Sequence, residues 1–104
     1  MGWGRGMTVI FHPRIRADLR EILDYYDDRS DPAGDRFYVE FEATVARIKH
    51  MPRQFPLLDE LRRRCHFPNI PDHIVYEIDG ERILITVLRH HSRHSSFGLR
   101  RKWR

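Results

Sequence analysis

The sequence predicts an α+β fold in which a helical hairpin packs on a small, mainly antiparallel β-sheet, in the element order β-α-α-β-β-β. Apolar residues recur at three- and four-residue steps in the first half of the chain, which is the period of an amphipathic helix. The second half contains β-prone apolar runs, and the Asp79-Gly80 pair between two of them is typical of a two-residue hairpin turn. A chain of 104 residues has the length of one ordinary domain.

The first half is predicted to form one strand and two helices. Thr8–Phe11 is a short apolar run of β-prone residues, and Pro13 suits the first turn of the helix that follows. Asp31 and Pro32 are typical of an N-cap and a first helical position, and the second helix should end before Pro52 because proline disfavours the helical state of the preceding residue. The two helices should form an antiparallel hairpin that needs a sheet to cover its apolar side. The predicted apolar stripes are Ile15, Leu19, Ile22, Leu23 and Tyr26 in the first helix and Phe37, Phe41, Val45 and Ile48 in the second.

The second half is predicted to form three strands, at residues 61–67, 73–78 and 82–88. The first of these strands contains three consecutive arginines, which indicates an edge strand or a binding surface. The last strand is almost continuously apolar, as expected of a central strand that is covered on both faces.

Charged residues are distributed unevenly along the chain. Residues 1–60 contain 9 Lys/Arg against 11 Asp/Glu, whereas residues 61–104 contain 10 against 4. This asymmetry indicates an acidic or polyanionic partner for the C-terminal half, the alternative being a solvated tail that is basic only for solubility. The sequence has no apolar run long enough to span a membrane, no signal-peptide core and a single cysteine, so a cytoplasmic protein without membrane contact is expected.

A series of short motifs resembles the RelE/ParE family of toxins, and its ParE-like members most closely. The resemblance covers about residues 8–101 and lies in the order of the motifs rather than in any one of them. The motifs are His12-Pro13, Tyr25-Tyr26, Pro32-Ala33-Gly34-Asp35-Arg36-Phe37, Met51-Pro52, Phe55-Pro56, Arg62-Arg63-Arg64, Phe67-Pro68, Ile74-Val75-Tyr76 and Val87-Leu88-Arg89-His90-His91-Ser92-Arg93.

The resemblance implies a toxin of a type II toxin–antitoxin system, built as a helical hairpin on a sheet whose opposite face is open. It also implies an acidic antitoxin as partner, and contact with promoter DNA only through the antitoxin complex. DNA gyrase is the target of ParE-like members, whereas RelE-like members cut mRNA on the ribosome. One toxin domain is expected at residues 8–98, after a flexible leader at residues 1–7 and before a basic C-terminal tail at residues 99–104.

Candidate residues for binding the target or the antitoxin come from the arginine-rich strand and the C-terminal segment. Guanidinium groups suit this role because they bind carboxylates and phosphates through two parallel hydrogen bonds. Many ParE-like members carry Arg-Asp-Pro-x-x-Trp after the last strand, where this chain has Arg-His-Ser-Ser-Phe-Gly at residues 93–98. The candidates are Arg62, Arg63, Arg64, Tyr76, Arg89, Arg93, Phe97, Arg100 and Arg101.

A catalytic role is a second interpretation of the C-terminal segment. Cleavage of RNA needs a base, an acid and cations around the phosphate, for which His90, His91 and Arg93 are candidates. The set is incomplete, since Lys49 is the only lysine near the end of the second helix and Phe97 stands where RNA-cutting relatives often have a tyrosine.

The His-His-x-x-His spacing at His90, His91 and His94 is the one pattern that suggests a metal. No metal site is predicted from it, because on a strand His90 and His91 would point to opposite faces. No cofactor is predicted either. Cys65 is interpreted as a small buried hydrophobic residue.

Three functional hypotheses follow. The leading one is a toxin that binds and inhibits an essential target such as DNA gyrase. The second is an enzyme, a ribosome-dependent mRNA endonuclease. The third is a degenerate, non-toxic member of the family that survives as a partner-binding module.

Overall fold

A computed structural model of the chain describes residues 7–103, apart from the side chain of Asp31. The predicted leader therefore lies outside the described residues, except for Met7. The element order β-α-α-β-β-β is confirmed. The elements are β1 (Thr8–Phe11), α1 (Ile15–Asp27), α2 (Asp31–His50), β2 (Arg62–His66), β3 (His73–Asp79) and β4 (Arg82–Arg89).

The four strands form one sheet in the order β1-β4-β3-β2. β1 pairs with β4 in parallel, and the other two pairs are antiparallel. The β3–β4 hairpin turns at Gly80, whose φ of 62° lies in the left-handed region that the predicted turn requires. The mainly antiparallel sheet and the central position of β4 are thus confirmed.

The helical hairpin covers one face of this sheet. Its apolar stripes pack on alternate residues of the strands, and β4 is buried from Ile83 to Arg89. The N-cap of α2 is Ser30, one residue before the predicted Asp31, since the backbone of Ser30 is still extended. The core that results contains Ile15, Ile22, Phe37, Phe41, Ile48, Cys65, Phe67, Ile74, Tyr76, Ile83, Ile85 and Leu88.

The opposite face of the sheet is partly covered by the end of the chain. Gly98 has φ 81°, and a Cβ at this position would lie 2.6 Å from a methyl group of Val87. Arg62 of β2 and Arg89 of β4 donate hydrogen bonds to the carbonyl oxygens of Leu99 and Phe97, at 2.7 and 3.3 Å. The expectation that this face is open is therefore wrong around Val87, because the C-terminal segment crosses it.

The same segment then closes the free edge of β4. β1 covers only the first half of that edge, and the backbone N–H of Leu88 instead donates to the Asp18 carboxylate of α1, at 3.1 Å. Arg101 donates to the Thr86 carbonyl oxygen at 3.1 Å and forms an ion pair with Asp18 at 2.6 Å. Trp103 donates from Nε1 to the Thr86 hydroxyl at 3.1 Å. Arg101 and Trp103, in the predicted tail, are thus packed against the strand.

Neither helix within residues 7–103 combines the length and the hydrophobicity that a bilayer crossing requires.

Candidate functional site

A cluster of basic side chains lies on the sheet face that the helices do not cover. Side chains alternate along a strand, and Cys65, Ile74 and Leu88 point into the helical core, so their strand neighbours point to the other face. The antiparallel register then brings these neighbours together, since β2 pairs with β3 and β3 with β4. We call this group the sheet-face cluster: Arg62, Arg64, His66, His73 and Arg89.

The centre of the sheet-face cluster is a contact between Arg89 and His73. Arg89 is 2% exposed, and its Nη1 lies 3.0 Å from Nε2 of His73. Burial and, next, the charge of Arg89 lower the pKa of His73 to about 4. Because an arginine only donates hydrogen bonds, His73 accepts here through a deprotonated Nε2. His66 lies beside it with ring centroids 5.1 Å apart, and burial followed by the charge of Arg64 lowers the pKa of His66.

The charge of the sheet-face cluster is only partly neutralised within the chain. Arg62 contacts Asp59 at 2.7 Å and Glu77 at 4.0 Å. Among the described side chains, no carboxylate lies within ion-pair distance of Arg64 or Arg89. The buried Nε atoms of all three arginines lack a hydrogen-bond partner, which is uncommon for buried donors. Positive charge in excess of its internal partners therefore remains on this face.

Two predicted binding residues hold a loop instead of forming a surface. Arg63 points to the other side of β2 and donates to the carbonyl oxygens of Phe55 and Arg53, at 2.7 and 3.2 Å. Tyr76 is fully buried, donates its hydroxyl to the Pro52 carbonyl oxygen at 2.6 Å, and has a raised pKa because of that burial. Both side chains thus fix the chain that follows α2.

The predicted binding residues near the C-terminus also contact each other and α1. Arg93 forms an ion pair with Glu21 of α1 at 2.5 Å, and this hydrogen bond lowers the pKa of Glu21. The guanidinium carbons of Arg93 and Arg101 lie 4.4 and 5.2 Å from the ring centroid of Phe97. Arg100 is exposed. These side chains are therefore not part of the sheet-face cluster, although the carbonyl oxygen of Phe97 contacts Arg89; the cluster contains three of the predicted arginines.

His90 and His91 lie beyond the end of β4, so strand alternation does not apply to them. Their ring centroids are 4.1 Å apart, and the expectation that they point to opposite faces is wrong. Both rings contact Tyr25 of α1, and Nδ1 of His91 lies 2.9 Å from Oδ1 of the buried Asp72. We call Asp72, His90 and His91 the Asp72 cluster. His94 is exposed and contacts Ser96 instead.

An apolar groove of about 690 Å³ lies where the two helices meet the end of β1. Phe11 and Tyr38 on its rim are 44% and 42% exposed, which is high for aromatic side chains in a small protein. Arg16 and Lys49 also line it, against one acidic residue, Glu42. This groove was not among the predicted sites. Its other lining residues are His12, Pro13, Ile15, Leu19, Phe41, Val45 and Ala46.

His66 and His73 were also missed as site residues. The alternation of side chains along the arginine-rich strand could have indicated His66, because it lies two residues after Arg64 and therefore points to the same face. Pairing of His66 with His73 depends on the register of β2 and β3, which no turn signal fixes.

Comparison with known proteins identifies the family. The model of the ParE toxin of the type II toxin–antitoxin system, parDE, matches residues 9–94. A chain in the solved structure of the chromosomal ParDE TA system from P. aeruginosa is similar, with 18% identity, a TM-score of 0.72, and coverage of 81% of this chain and 95% of that chain. This identity establishes likeness of fold alone, and no curated protein matches the chain. Because the family model covers most of the sequence, the chain belongs to the ParE toxin family of type II toxin–antitoxin systems.

Proposed function

We propose that this toxin stops growth by binding and inhibiting an essential target such as DNA gyrase, and that an acidic antitoxin neutralises it. The observation that carries this proposal is that the candidate catalytic side chains are engaged in contacts within the chain. His91 contacts Asp72, the buried His90 packs on Tyr25, and Arg93 is paired with Glu21. A general base must instead reach the proton that it removes from a substrate. A binding mode of action needs no such group.

The sheet-face cluster is the surface that we assign to the target. Arg64, a partly accessible arginine of this cluster, has no acidic partner among the described side chains, so an anionic group on the target gains an ion pair without displacing an existing one.

A gyrase supercoiling assay with purified toxin tests this assignment. We expect inhibition by the wild-type protein and a loss of about tenfold in potency for Arg64→Ala, which corresponds to the 1.4 kcal/mol of a modest charged contact. Arg82→Ala is the matched control, since Arg82 is an exposed arginine of the same sheet that is paired with Asp79. No inhibition by a folded wild-type protein at micromolar concentration would exclude gyrase as the target.

The apolar groove is the surface that we assign to the antitoxin. An amphipathic antitoxin segment would bury apolar side chains against Phe11 and Tyr38 and place acidic ones beside Arg16 and Lys49. Because both basic residues are exposed, the double variant Arg16→Glu, Lys49→Glu should fold normally. The double variant should bind the antitoxin at least about tenfold more weakly in titration calorimetry. Arg20→Glu is the control and should keep the wild-type affinity, because Arg20 lies on α1 like Arg16 but outside the groove. Equal affinities would contradict the charge part of this assignment.

A second candidate function, mRNA cleavage on the ribosome, is favoured by one observation. Arg64 and the exposed His66 lie on the same sheet face, where Arg64 could hold a phosphate and His66 could accept a proton. Primer extension on translated mRNA would reveal new 5′ ends in cells that express the wild-type chain but not the His66→Ala variant. Absence of such ends in growth-arrested cells would remove this function.

A further inference from the structure

Asp72 is a buried carboxylate that accepts hydrogen bonds from the backbone N–H of His91 at 2.8 Å and from the Tyr26 hydroxyl at 3.1 Å, but has no lysine or arginine partner among the described side chains. It is 0% exposed and lies in the loop between β2 and β3. Asp18, the other buried carboxylate among the described residues, is paired with Arg101. Among the described side chains, the one ion-pair partner of Asp72 is the imidazole of His91. A buried negative charge is unfavourable unless a cation or a full set of hydrogen bonds compensates it.

His90 presents a second unsatisfied group at the same place. The side chain is 6% exposed, and its Nε2 is buried without a hydrogen-bond partner. The other ring nitrogen, Nδ1, lies 2.6 Å from the Ser92 hydroxyl and accepts a hydrogen bond from the backbone N–H of Ser92 at 3.2 Å. Binding of a metal ion through Nε2 requires the other tautomer, in which Nδ1 is protonated and donates to the Ser92 hydroxyl.

The ligand atoms of the Asp72 cluster are close enough to share one ion. One nitrogen from each histidine and one oxygen of Asp72 all lie within 4.8 Å of one another. Ligand atoms at about 2.0–2.1 Å from a tetrahedral zinc ion are separated by about 3.3 Å. Small rotations of the three side chains would reduce the separation of their ligand atoms from at most 4.8 Å to about this value.

We propose that Asp72, His90 and His91 bind a divalent transition-metal ion, for which zinc is the best match. Two imidazoles and one carboxylate form a ligand set that suits zinc, cobalt or nickel and does not suit magnesium or calcium. The site has the supporting contacts that metal ligands usually have. Tyr26 donates to Oδ2 of Asp72 at 3.1 Å, and Ser92 orients the His90 ring.

The bound ion would link the β2–β3 loop to the segment after β4, so it should stabilise the folded state by mass action. This site is independent of the target and antitoxin assignments above.

Zinc titration of the untagged chain, followed by calorimetry and by thermal unfolding, tests the proposal. We expect one zinc ion per chain, a zinc-dependent rise in the unfolding temperature, no such rise with magnesium, and the visible absorption of four-coordinate cobalt when Co²⁺ replaces zinc. His91→Ala and Asp72→Asn should each weaken zinc binding about tenfold or more. His94→Ala is the matched control, because His94 is exposed, lies three residues from His91 and is outside the cluster.

The variants separate a metal ligand from a merely structural residue. His91 is the partly exposed member, with 37% of its side chain accessible, so His91→Ala should keep the fold even if Asp72→Asn does not. A structural role would lower the stability of the zinc-free protein and leave the zinc-dependent shift intact. The proposal is overturned if the folded wild type binds no zinc, if His91→Ala binds it as tightly as the wild type, or if His94→Ala loses as much affinity as His91→Ala.

Discussion

His73 is a buried histidine whose surroundings keep it neutral. Burial and, next, the charge of Arg89 lower its pKa from 6.5 to about 4. Unfolding restores the ordinary value, so between these two pKa values the unfolded chain binds a proton that the folded chain does not. The contribution of His73 to stability is therefore fully present above pH 6.5 and is lost as the pH falls towards 4. We expect a loss of about 2 kcal/mol from this residue by about pH 4.5.

Urea unfolding of the wild type and of His73→Asn, near pH 7 and near pH 4.5, measures this contribution. Carboxylates and the other histidines titrate in both proteins, so their effects cancel in the comparison. From pH 7 to pH 4.5, the free energy of unfolding should decrease in both proteins, and the decrease should be about 2 kcal/mol smaller for the variant than for the wild type. Equal decreases would show that His73 has an ordinary pKa in the folded chain.

Arg101 and Arg100 are neighbours in sequence with opposite environments. Arg101 pairs with the buried Asp18 at 2.6 and 2.7 Å, whereas Arg100 is exposed. Arg101→Ala leaves the Asp18 carboxylate buried and unpaired, which should lower the free energy of unfolding by about 3 kcal/mol or more. Arg100→Ala should change it by less than about 0.5 kcal/mol. Similar values for the two variants in urea unfolding would mean that the C-terminal segment does not pack on β4.

At the scale of elements, local sequence signals predicted all six helices and strands, because helical periodicity, Pro52 and the Asp79-Gly80 turn act over a few residues. The path of the C-terminal segment could not be predicted, since it depends on contacts with Val87 and Asp18 that are distant in sequence and carry no period. The position of His91 was mispredicted for a related reason. Its orientation depends on whether β4 ends before or after it, and strand ends are the least determined part of a sequence pattern.

The turn at Gly98 is the part of this segment that a single substitution can test. Gly98 and Gly80 both have positive φ, but only Gly98 lies against another residue, Val87. Gly80→Ala should therefore cost about 1 kcal/mol of backbone strain alone. Gly98→Ala adds a steric overlap and should cost at least about 1 kcal/mol more. Equal losses of unfolding free energy would show that the turn does not press on the sheet.

At the scale of the whole molecule, the chain uses its positive charge in two different ways. Arg101 compensates a buried carboxylate and holds the C-terminal segment on β4. Arg64 lies among like charges on the sheet-face cluster, where burial and, next, the charge of Arg64 lower the pKa values of His66 and Arg89. The first kind of arginine stabilises the fold, and the second kind is unfavourable for the fold unless a partner binds. Net charge alone does not distinguish them.

Growth after induced expression without antitoxin should separate these two kinds of arginine. Arg64→Ala removes a repulsive charge, so its free energy of unfolding should stay within about 0.5 kcal/mol of the wild type while growth inhibition is relieved. Arg101→Ala should relieve inhibition only through loss of folded protein, visible as lower abundance and a lower unfolding temperature. If Arg64→Ala is as toxic as the wild type at equal abundance, the sheet-face cluster does not bind the target, and another surface of the toxin carries its activity.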